Sequence, residues 1–292
     1  MQTANSSGSE RMPMAASQLD RLQRRDFDRL AEFVQRYSGI KMPPAKMTML
    51  EGRLRRRVRE TGAADLSDYC RYLFDEGGLQ AEAVALIDAV TTNKTAFFRE
   101  PQHFDVLTQR LPELLAERRR VLKLWSAACS TGAEPYTLAM LLAGLAQQAA
   151  GPRVSILATD LSTDVLEVAV RGVYPASMAA EVPAGLRARY LLRSRDSAKG
   201  LVRIVPELRG LVQFARLNLM ATTYPVERDV DVVFCRNVLI YFDKPTQGAV
   251  LQRLCGHLRP GGFLFLGHSE TLAGLDLPLE ALGNTVFRRI GS

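Results

Sequence analysis

A loop of small residues joins a predicted strand to a predicted helix near the middle of the chain. The strand covers residues 121–125, the loop 126–132 reads SAACSTG, and the helix begins at Ala133. Small side chains let the backbone approach a bound ligand closely. The loop has neither the GxxxxGK[ST] pattern nor a complete GxGxxG pattern, both of which hold phosphate groups. A ligand without phosphates is therefore favoured.

An acidic residue follows the next predicted strand. That strand covers residues 154–159 and ends at Asp160. In Rossmann-like folds an acidic residue at this place hydrogen-bonds the hydroxyl groups of a ribose. A nucleoside without phosphate suggests S-adenosylmethionine. Asp160 could instead cap the helix that begins near Ser162, but the loop before it favours the ligand.

Short apolar runs alternate with helical segments after about residue 120. The runs that resemble buried strands are residues 121–125, 154–159, 230–235 and 263–267. This alternation predicts an α/β fold with a parallel sheet, in which ligands bind beyond the carboxyl ends of the strands. Residues 172–210 carry several prolines and glycines around a β-like segment, and we expect an inserted β-hairpin-like subdomain there.

The first third of the chain follows a different pattern. Residues 1–18 are rich in serine, alanine and asparagine, and we expect a mobile leader. Residues 19–90 repeat apolar side chains three and four positions apart, and glycines and prolines divide them into four short helices. We therefore expect an all-α domain at 19–90 and a ligand-binding domain at 91–292.

Composition narrows the class of protein. The 292 residues are 47% hydrophobic and 24% charged, which is typical of a soluble globular protein. Four scattered cysteines without a CxxC pair, and three histidines, make a zinc site or a disulfide framework improbable. Cys129 is expected to be a small buried side chain and no nucleophile. Without a signal sequence or a long apolar segment, we expect a cytoplasmic protein with no membrane insertion.

The excess positive charge is concentrated in one predicted helix. The chain carries 38 Lys and Arg against 31 Asp and Glu, and residues 41–59 alone hold seven basic residues and one acidic residue. The helical period places apolar side chains on one face and the arginines on and beside the opposite face. A solvated face is one interpretation. The density of arginine favours a docking surface for an acidic helix. Its residues are Arg53, Arg55, Arg56 and Arg59.

Four motifs in a fixed order carry a family resemblance. They are residues 93–99 (NKTAFFR), 125–140, 234–242 (FCRNVLIYF) and 267–270 (GHSE). From about residue 19 to residue 290 the chain resembles the CheR family of chemotaxis-receptor glutamate methyltransferases. The resemblance implies a Rossmann-like S-adenosylmethionine-dependent domain with an inserted small β-subdomain, preceded by a small all-α domain. It also implies glutamate side chains on the cytoplasmic helices of methyl-accepting chemotaxis receptors as substrate and S-adenosyl-L-homocysteine as product.

The resemblance also implies which residues contact the cofactor. These are Asn93, Thr95, Arg99, Glu134, Asp160, Asn218, Leu219, Arg236 and Asn237. Two positions depart from the family pattern, because Ala128 stands where a glycine is usual and Ala133 stands where an acidic residue is common. The methyl group of Ala128 takes up space that a glycine would leave free, so it limits how closely the loop backbone can approach the cofactor.

Methyl transfer to a carboxylate needs little acid–base chemistry. A glutamate, with a pKa of about 4.3, is already ionised at neutral pH, so no general base is required. We expect Arg99 to position the carboxylate and the hydroxyl of Tyr241 to donate to its second oxygen. His268 is expected to be structural or to support a residue that contacts the ligand, without a catalytic role of its own.

Each of these polar residues also has a purely structural interpretation. Arg99 could be a charge at the start of a helix predicted at 100–111, and Tyr241 could pack in the core. Asn218 and Asn237 could bond to their own loops, and Glu134 could favour the positive end of its helix.

Two other functions remain open from the sequence. A nucleic-acid methyltransferase would suit the positive charge, but residues 235–238 read CRNV where a [DNS]PP[YF] motif would stand. A regulatory protein that binds the cofactor without turnover is the second alternative. The loop 193–200 (RSRDSAKG) is poor in glycine, so we expect weak or no binding of a receptor C-terminal peptide through the β-subdomain. We expect a monomer that binds neither metal nor nucleic acid.

Overall fold

A computed structural model describes residues 21–116, 121–146, 151–283 and 285–291. The leader expected at residues 1–18 lies outside these ranges. None of the helices in the described ranges combines the length and apolar character that crossing a bilayer requires.

The described part of the N-terminal domain is helical, as its period predicts. Its helices are α1 (Arg24–Ser38), α2 (Met47–Thr61), α3 (Leu66–Phe74) and α4 (Leu79–Val90), with a short 3₁₀ turn at Pro44–Lys46. Leu30, Leu50 and Leu54 are fully buried between them. Glycines in the left-handed conformation end α1 and α2, as helix C-termini favour.

The second domain contains a sheet of seven strands within the described residues, in the order β6-β2-β1-β7-β8-β10-β9. The strands are β1 (Val121–Ala127), β2 (Arg153–Asp160), β6 (Val212–Arg216), β7 (Val230–Cys235), β8 (Leu258–Leu266), β9 (Leu279–Gly283) and β10 (Val286–Arg289). The five from β6 to β8 in this order are parallel, while β10 runs antiparallel to both of its neighbours. The predicted α/β fold is confirmed, although the sequence analysis did not identify β6, β9 and β10.

Helices cover both faces of this sheet. They are α5 (Gln102–Ala116), α6 (Ala133–Ala146), α7 (Thr163–Arg171) and α10 (Lys244–His257). The helix predicted at 100–111 therefore begins two residues later and ends five residues later. Along β7, Val232 and Phe234 pack on the face with α5 and α6, whereas Val233 and Cys235 pack on the face with α10. Burial on both faces explains why β7 is apolar at every position except Asp231.

The inserted segment at 172–210 is larger than a hairpin. It holds β3 (Val173–Pro175), β4 (Leu191–Arg193) and β5 (Leu201–Ile204), which form an antiparallel sheet in the order β3-β5-β4, together with α8 (Ala184–Tyr190) and α9 (Pro206–Arg209). The β-like segment is β5. The predicted β-hairpin-like subdomain is present, with β4 and β5 as its antiparallel hairpin. The sequence did not indicate β3 and β4 because they have three residues each, which is too short for a period to show.

Polar and apolar contacts join the two domains. The backbone N–H of Lys41 donates to the carbonyl of Tyr241 at 3.1 Å, and Asp88 accepts from the backbone N–H of Thr163 at 2.8 Å. Ile40 packs against the apolar clusters of both domains. The helical domain is therefore fixed against the end of the sheet where β7 terminates.

Two C-cap glycines permit a matched test of this interface. Gly39 (φ 75°) and Gly62 (φ 76°) have the same backbone conformation, but a Cβ on Gly39 would lie 2.7 Å from Met220 and 3.1 Å from Phe242, whereas a Cβ on Gly62 would meet nothing within 4 Å. Gly62→Ala should lower the free energy of unfolding by about 1–2 kcal/mol through backbone strain alone. Gly39→Ala should cost about 1–3 kcal/mol more because it overpacks the interface. Urea denaturation measures both values, and equal losses would contradict the interface described here.

Candidate functional site

The loops at the carboxyl ends of the parallel strands surround one cleft. The cleft holds about 1090 Å³ of space that opens to solvent, and both domains line it. The helical domain contributes residues between Ser38 and Met49, including Lys46. All the residues expected to contact the cofactor line this cleft, as does Tyr241. They are Asn93, Thr95, Arg99, Glu134, Asp160, Asn218, Leu219, Arg236 and Asn237.

The loop after β1 turns sharply beside the cleft. Ala128 (φ 62°) and Ser130 (φ 50°) both adopt the left-handed conformation, which is unfavourable for residues other than glycine. Hydrogen bonds hold this shape, because the N–H of Cys129 donates to the carbonyl of Thr159 at 2.9 Å and that of Ser130 to Asp160 at 2.8 Å. The backbone at Ala128 thus has the geometry that a glycine would adopt freely.

Cys129 is buried within this loop. It is 1% exposed, and burial raises the pKa of its thiol well above the usual value. A buried thiol that resists ionisation is a poor nucleophile. The prediction that Cys129 is a small buried side chain is confirmed.

The carboxylate of Asp160 supports two backbone segments at once. Besides Ser130, it accepts the N–H of Ser162 at 3.0 Å, just before α7. Burial raises the pKa of Asp160, and these backbone donors oppose that rise. Asp160 therefore stabilises the turn before α7, although the N-cap of that helix is Ser162, and it also lines the cleft, where the ligand contact stays a prediction.

Arg236, the first residue after β7, lies between two carboxylates. Its Nη1 donates to Glu134 at 3.1 Å, and its Nη2 donates to Glu100 at 2.9 Å and to the carbonyl of Arg99. The side chain of Arg236 is only 2% exposed, so its charge is compensated inside the protein. Burial raises the pKa of Glu134, while Arg236 and the hydroxyl of Ser126, at 2.7 Å, oppose that rise.

Glu100 is a site residue that the sequence analysis missed. Its carboxylate also accepts from Nδ2 of Asn237 at 3.1 Å and from the N–H of His268 at 3.3 Å. Burial favours its neutral form, but the hydrogen bonds from Asn237 and Arg236 prevail and lower the pKa of Glu100 below its usual value. Only its position directly after Arg99 could have marked Glu100 in the sequence.

Glu100 also lies near the side chains of His103 and His268, a group that could coordinate a cation. The guanidinium of Arg236 already contacts the same carboxylate, and its positive charge disfavours a metal ion there. This geometry agrees with a structural function for His268.

Glu270 fixes the backbone that follows β7. Its buried carboxylate accepts four backbone N–H groups, from Asn237 at 3.0 Å, Val238 at 2.9 Å, Leu239 at 2.7 Å and Gly267 at 2.6 Å. Asn237 is left-handed at φ 59°. A Cβ on Gly267 would lie 2.5 Å from Nδ2 of Asn237, so the two loops meet at glycine distance.

The two residues predicted to act in catalysis both face the cleft. Arg99 donates from Nη1 to the carbonyl of Lys94 at 3.0 Å, which keeps the side chain beside its own loop. The ring of Tyr241 lies 5.5 Å from the ammonium group of Lys46 in the helical domain. Burial lowers the pKa of Lys46, and Arg53 lowers it further.

The remaining predicted contacts tie the cleft wall together. Ser130 donates from its hydroxyl to the carbonyl of Asn93 at 2.9 Å. Asn218 donates to the carbonyl of Tyr37 in α1 at 2.6 Å and accepts the N–H of Met220 at 2.9 Å. Asn218 therefore does bond to its own loop, as one interpretation held, and it also links the two domains.

The four arginines predicted to dock a partner have different environments. Arg53 donates to the carbonyls of Val90 and Thr91 at 2.6 and 2.7 Å, so it caps α4. Arg56 pairs with Glu60 at 2.8 Å and lies 3.9 Å from Asp164 of α7. Arg55 and Arg59 are exposed on α2.

The lining of the cleft suits S-adenosylmethionine. The carboxylates of Glu134 and Asp160 match the positive charge and the ribose hydroxyls of this molecule. The Nε of Arg236 is buried and has no acceptor among the described residues, which leaves a donor for a ligand. The small-residue loop supplies the close approach of backbone that a nucleoside requires.

Comparison with known proteins agrees with this geometry. Residues 93–287 match the family model described as "CheR methyltransferase, SAM binding domain", and residues 25–91 match "CheR methyltransferase, all-alpha domain". The chain is 39% identical to "Chemotaxis protein methyltransferase 2" of Pseudomonas aeruginosa over 275 residues, which cover 94% of this chain and 96% of that protein. It is 40% identical to "Chemotaxis protein methyltransferase" of Escherichia coli over 261 residues, 89% of each chain.

The two matched regions correspond to the helical domain and the sheet domain, and together they contain every residue that lines the cleft except Thr92, which lies between them. The motifs, the fold and the relatives therefore agree, and the chain belongs to the CheR family of S-adenosylmethionine-dependent methyltransferases.

Proposed function

We propose that this enzyme transfers the methyl group of S-adenosylmethionine to glutamate carboxylates on the cytoplasmic helices of chemotaxis receptors. One observation carries the proposal. Residues from three of the four motifs, together with Asp160, Asn218 and Leu219, line a single cleft, although they lie as much as 144 positions apart between Asn93 and Asn237. The names of the relatives support chemotaxis receptors as the substrate class.

The chemistry divides between the cofactor and the chain. When bound, S-adenosylmethionine supplies an activated methyl group on its sulfonium. Glu134 and Asp160 would hold the cofactor by charge-assisted hydrogen bonds, and Arg236 and Asn237 complete the same wall. The wall is rigid because its polar groups already bond to one another. Rigid donors and acceptors reduce the entropy lost on binding.

Arg99 and Tyr241 would position the substrate. Both line the cleft beside the proposed cofactor contacts. The forked guanidinium of Arg99 suits a carboxylate, and the hydroxyl of Tyr241 can donate to its second oxygen. Because the glutamate is already ionised, catalysis consists of holding one oxygen in line with the methyl group and excluding water. Pairing with Arg99 must stay moderate, since strong pairing weakens the nucleophile.

The surface of α2 would bind the receptor. Arg55, Arg56 and Arg59 project from it, and a helix rich in glutamate complements their charge. Arg53 would contribute to this surface while it caps α4. A cytoplasmic monomer that acts on receptors, with no nucleic acid as partner, agrees with these features.

Cofactor binding is the first test. Asp160→Asn should weaken binding of S-adenosylmethionine by about 1.5–3 kcal/mol, roughly 10- to 100-fold in Kd, because it removes a charged acceptor. Isothermal titration with S-adenosylmethionine and S-adenosylhomocysteine measures this. Asp164→Asn, on the exposed start of α7, is the matched control and should bind as the wild type does. A wild-type protein that binds neither ligand would contradict the proposed function.

Methyl transfer is the second test. Wild-type protein with labelled cofactor and receptor should give a methyl ester that is released by base. Arg99→Ala should lower kcat/KM for the receptor by about 100-fold through loss of positioning, and Arg99→Lys should recover only part of it because lysine lacks the fork. Base-stable label on nucleic acid would indicate the alternative substrate. Cofactor binding without any transfer would indicate the regulatory alternative.

Receptor docking is the third test. The double reversal Arg55→Glu with Arg59→Glu should raise KM for the receptor roughly 10-fold, and more at low salt, while the Kd for S-adenosylmethionine stays unchanged. The reversal of Arg25 and Arg36, which are exposed on α1, makes the same charge change elsewhere in the helical domain. Steady-state kinetics at two salt concentrations measure the effect. An equal rise in KM for both double variants would rule out a specific docking surface.

A further inference from the structure

The backbone that presents Arg236 and Asn237 to the cleft is held from outside its own segment. Residues 236–239 leave β7 and pass through the left-handed conformation at Asn237 (φ 59°). Three of the N–H groups in this segment point to one acceptor, Glu270, which follows β8. The fourth N–H at that carboxylate belongs to Gly267.

This arrangement makes Glu270 a common anchor for two strand ends. A carboxylate has two oxygens and about four lone-pair sites, so four N–H donors use its full capacity. Hydrogen bonds to a charged acceptor are about twice as strong as those between neutral groups. The side chain is 5% exposed, so water does not compete for these donors.

The anchored segment is the one on which cofactor binding rests. Asn237 bonds to Glu100, and Arg236 bonds to Glu100 and Glu134, so a shift of this backbone would displace both side chains from the cleft. The same segment continues to Tyr241 through a short helical turn at Leu239–Tyr241. The N–H of Leu239, at the start of that turn, is bonded to Glu270 at 2.7 Å.

We propose that Glu270 is a positioning residue for methyl transfer, which acts through four backbone N–H groups to hold Arg236, Asn237 and Tyr241 in their working places. In this role Glu270 would contact neither the cofactor nor the substrate. The proposal rests on the proposed function for the identity of the ligand. The alternative is that Glu270 only stabilises the fold. A positioning role and a purely stabilising role predict different effects on the affinity for the cofactor.

A matched control lies near the other end of β7, the strand whose carboxyl end Glu270 anchors. Asp231 in β7 is also a fully buried carboxylate, and it accepts the N–H of Lys123 at 2.8 Å and Nε of Arg259 at 2.6 Å. It lies away from the cleft, and none of its contacts lines it. Asp231→Asn therefore removes a buried negative charge from β7 without touching the loop at its carboxyl end.

The experiment compares Glu270→Gln with Asp231→Asn in the full chain. Glutamine has nearly the same volume as glutamate, but its amide has only one oxygen that can accept hydrogen bonds. Its NH₂ group would face backbone N–H groups and cannot accept from them, so part of the anchor is lost. We expect the Kd for S-adenosylmethionine to rise at least 10-fold in Glu270→Gln and to stay within twofold in Asp231→Asn, although both variants lose stability to urea. Amide hydrogen exchange should accelerate at residues 237–239 in Glu270→Gln alone.

Several results would overturn the proposal. A Kd within twofold of wild type in Glu270→Gln would do so, as would an equal loss of affinity in Asp231→Asn. If Glu270→Gln does not fold, Glu270→Asp keeps the charge but withdraws it by one methylene, and an unchanged Kd in that variant overturns the proposal equally. Wild-type protein that binds the cofactor but forms no methyl ester contradicts the proposed function alone, since the comparison of Kd values still decides for Glu270.

Discussion

The site depends on the ion pairs that the buried guanidinium of Arg236 forms with Glu100 and Glu134. A charge this deep in a protein is tolerated only when acids and hydrogen-bond acceptors surround it. Its partners come from two other segments, because Glu134 begins α6 and Glu100 precedes α5. The requirement to compensate one cation therefore brings the end of β7, the loop after β1 and the segment before α5 to the same place. Removing either acid would leave one arm of the buried guanidinium without its charged acceptor, which costs more than the missing bond alone.

Backbone strain is concentrated around this ion pair. Outside glycine, the left-handed residues near the cleft include Phe98, Glu100, Ala128, Ser130 and Asn237. Each conformation costs on the order of 1 kcal/mol or more, and each persists because neighbouring bonds fix it. Asp160 holds the N–H of Ser130, and Glu270 holds the N–H of Asn237. Buried carboxylates thus act mainly on the backbone, and the backbone in turn directs the side chains that face the ligand.

The sequence predicted features that depend on neighbouring residues, such as helices and buried strands. It did not predict contacts between residues that are far apart in the chain. β7 was predicted with its observed bounds because a strand buried on both faces is a largely apolar run, which Asp231 alone interrupts. The helices of the first domain were visible in their period, whereas the three-residue strands β3 and β4 were too short to show one. Glu100 and Glu270 carry no local pattern, since the partners of Glu100 in Arg236 and Asn237 and three of the four donors to Glu270 lie more than 30 positions away. The motif containing Glu270 was noticed, but its function is apparent only from the four donors that converge on it.

The helical domain is part of the site as well as the proposed platform for a receptor. Its segment between Ser38 and Met49 lines the cleft, and Lys46 lies against the ring of Tyr241. The arginines of α2 begin within two turns of that segment on the same rigid helix. Arg53 caps α4, whose Asp88 is bonded to Thr163 near Asp160, so the proposed docking face is fixed relative to the proposed cofactor wall. Rigid elements would therefore fix the distance between the cleft and a substrate helix bound to α2. A few exposed arginines would then select which glutamate of that helix reaches Arg99.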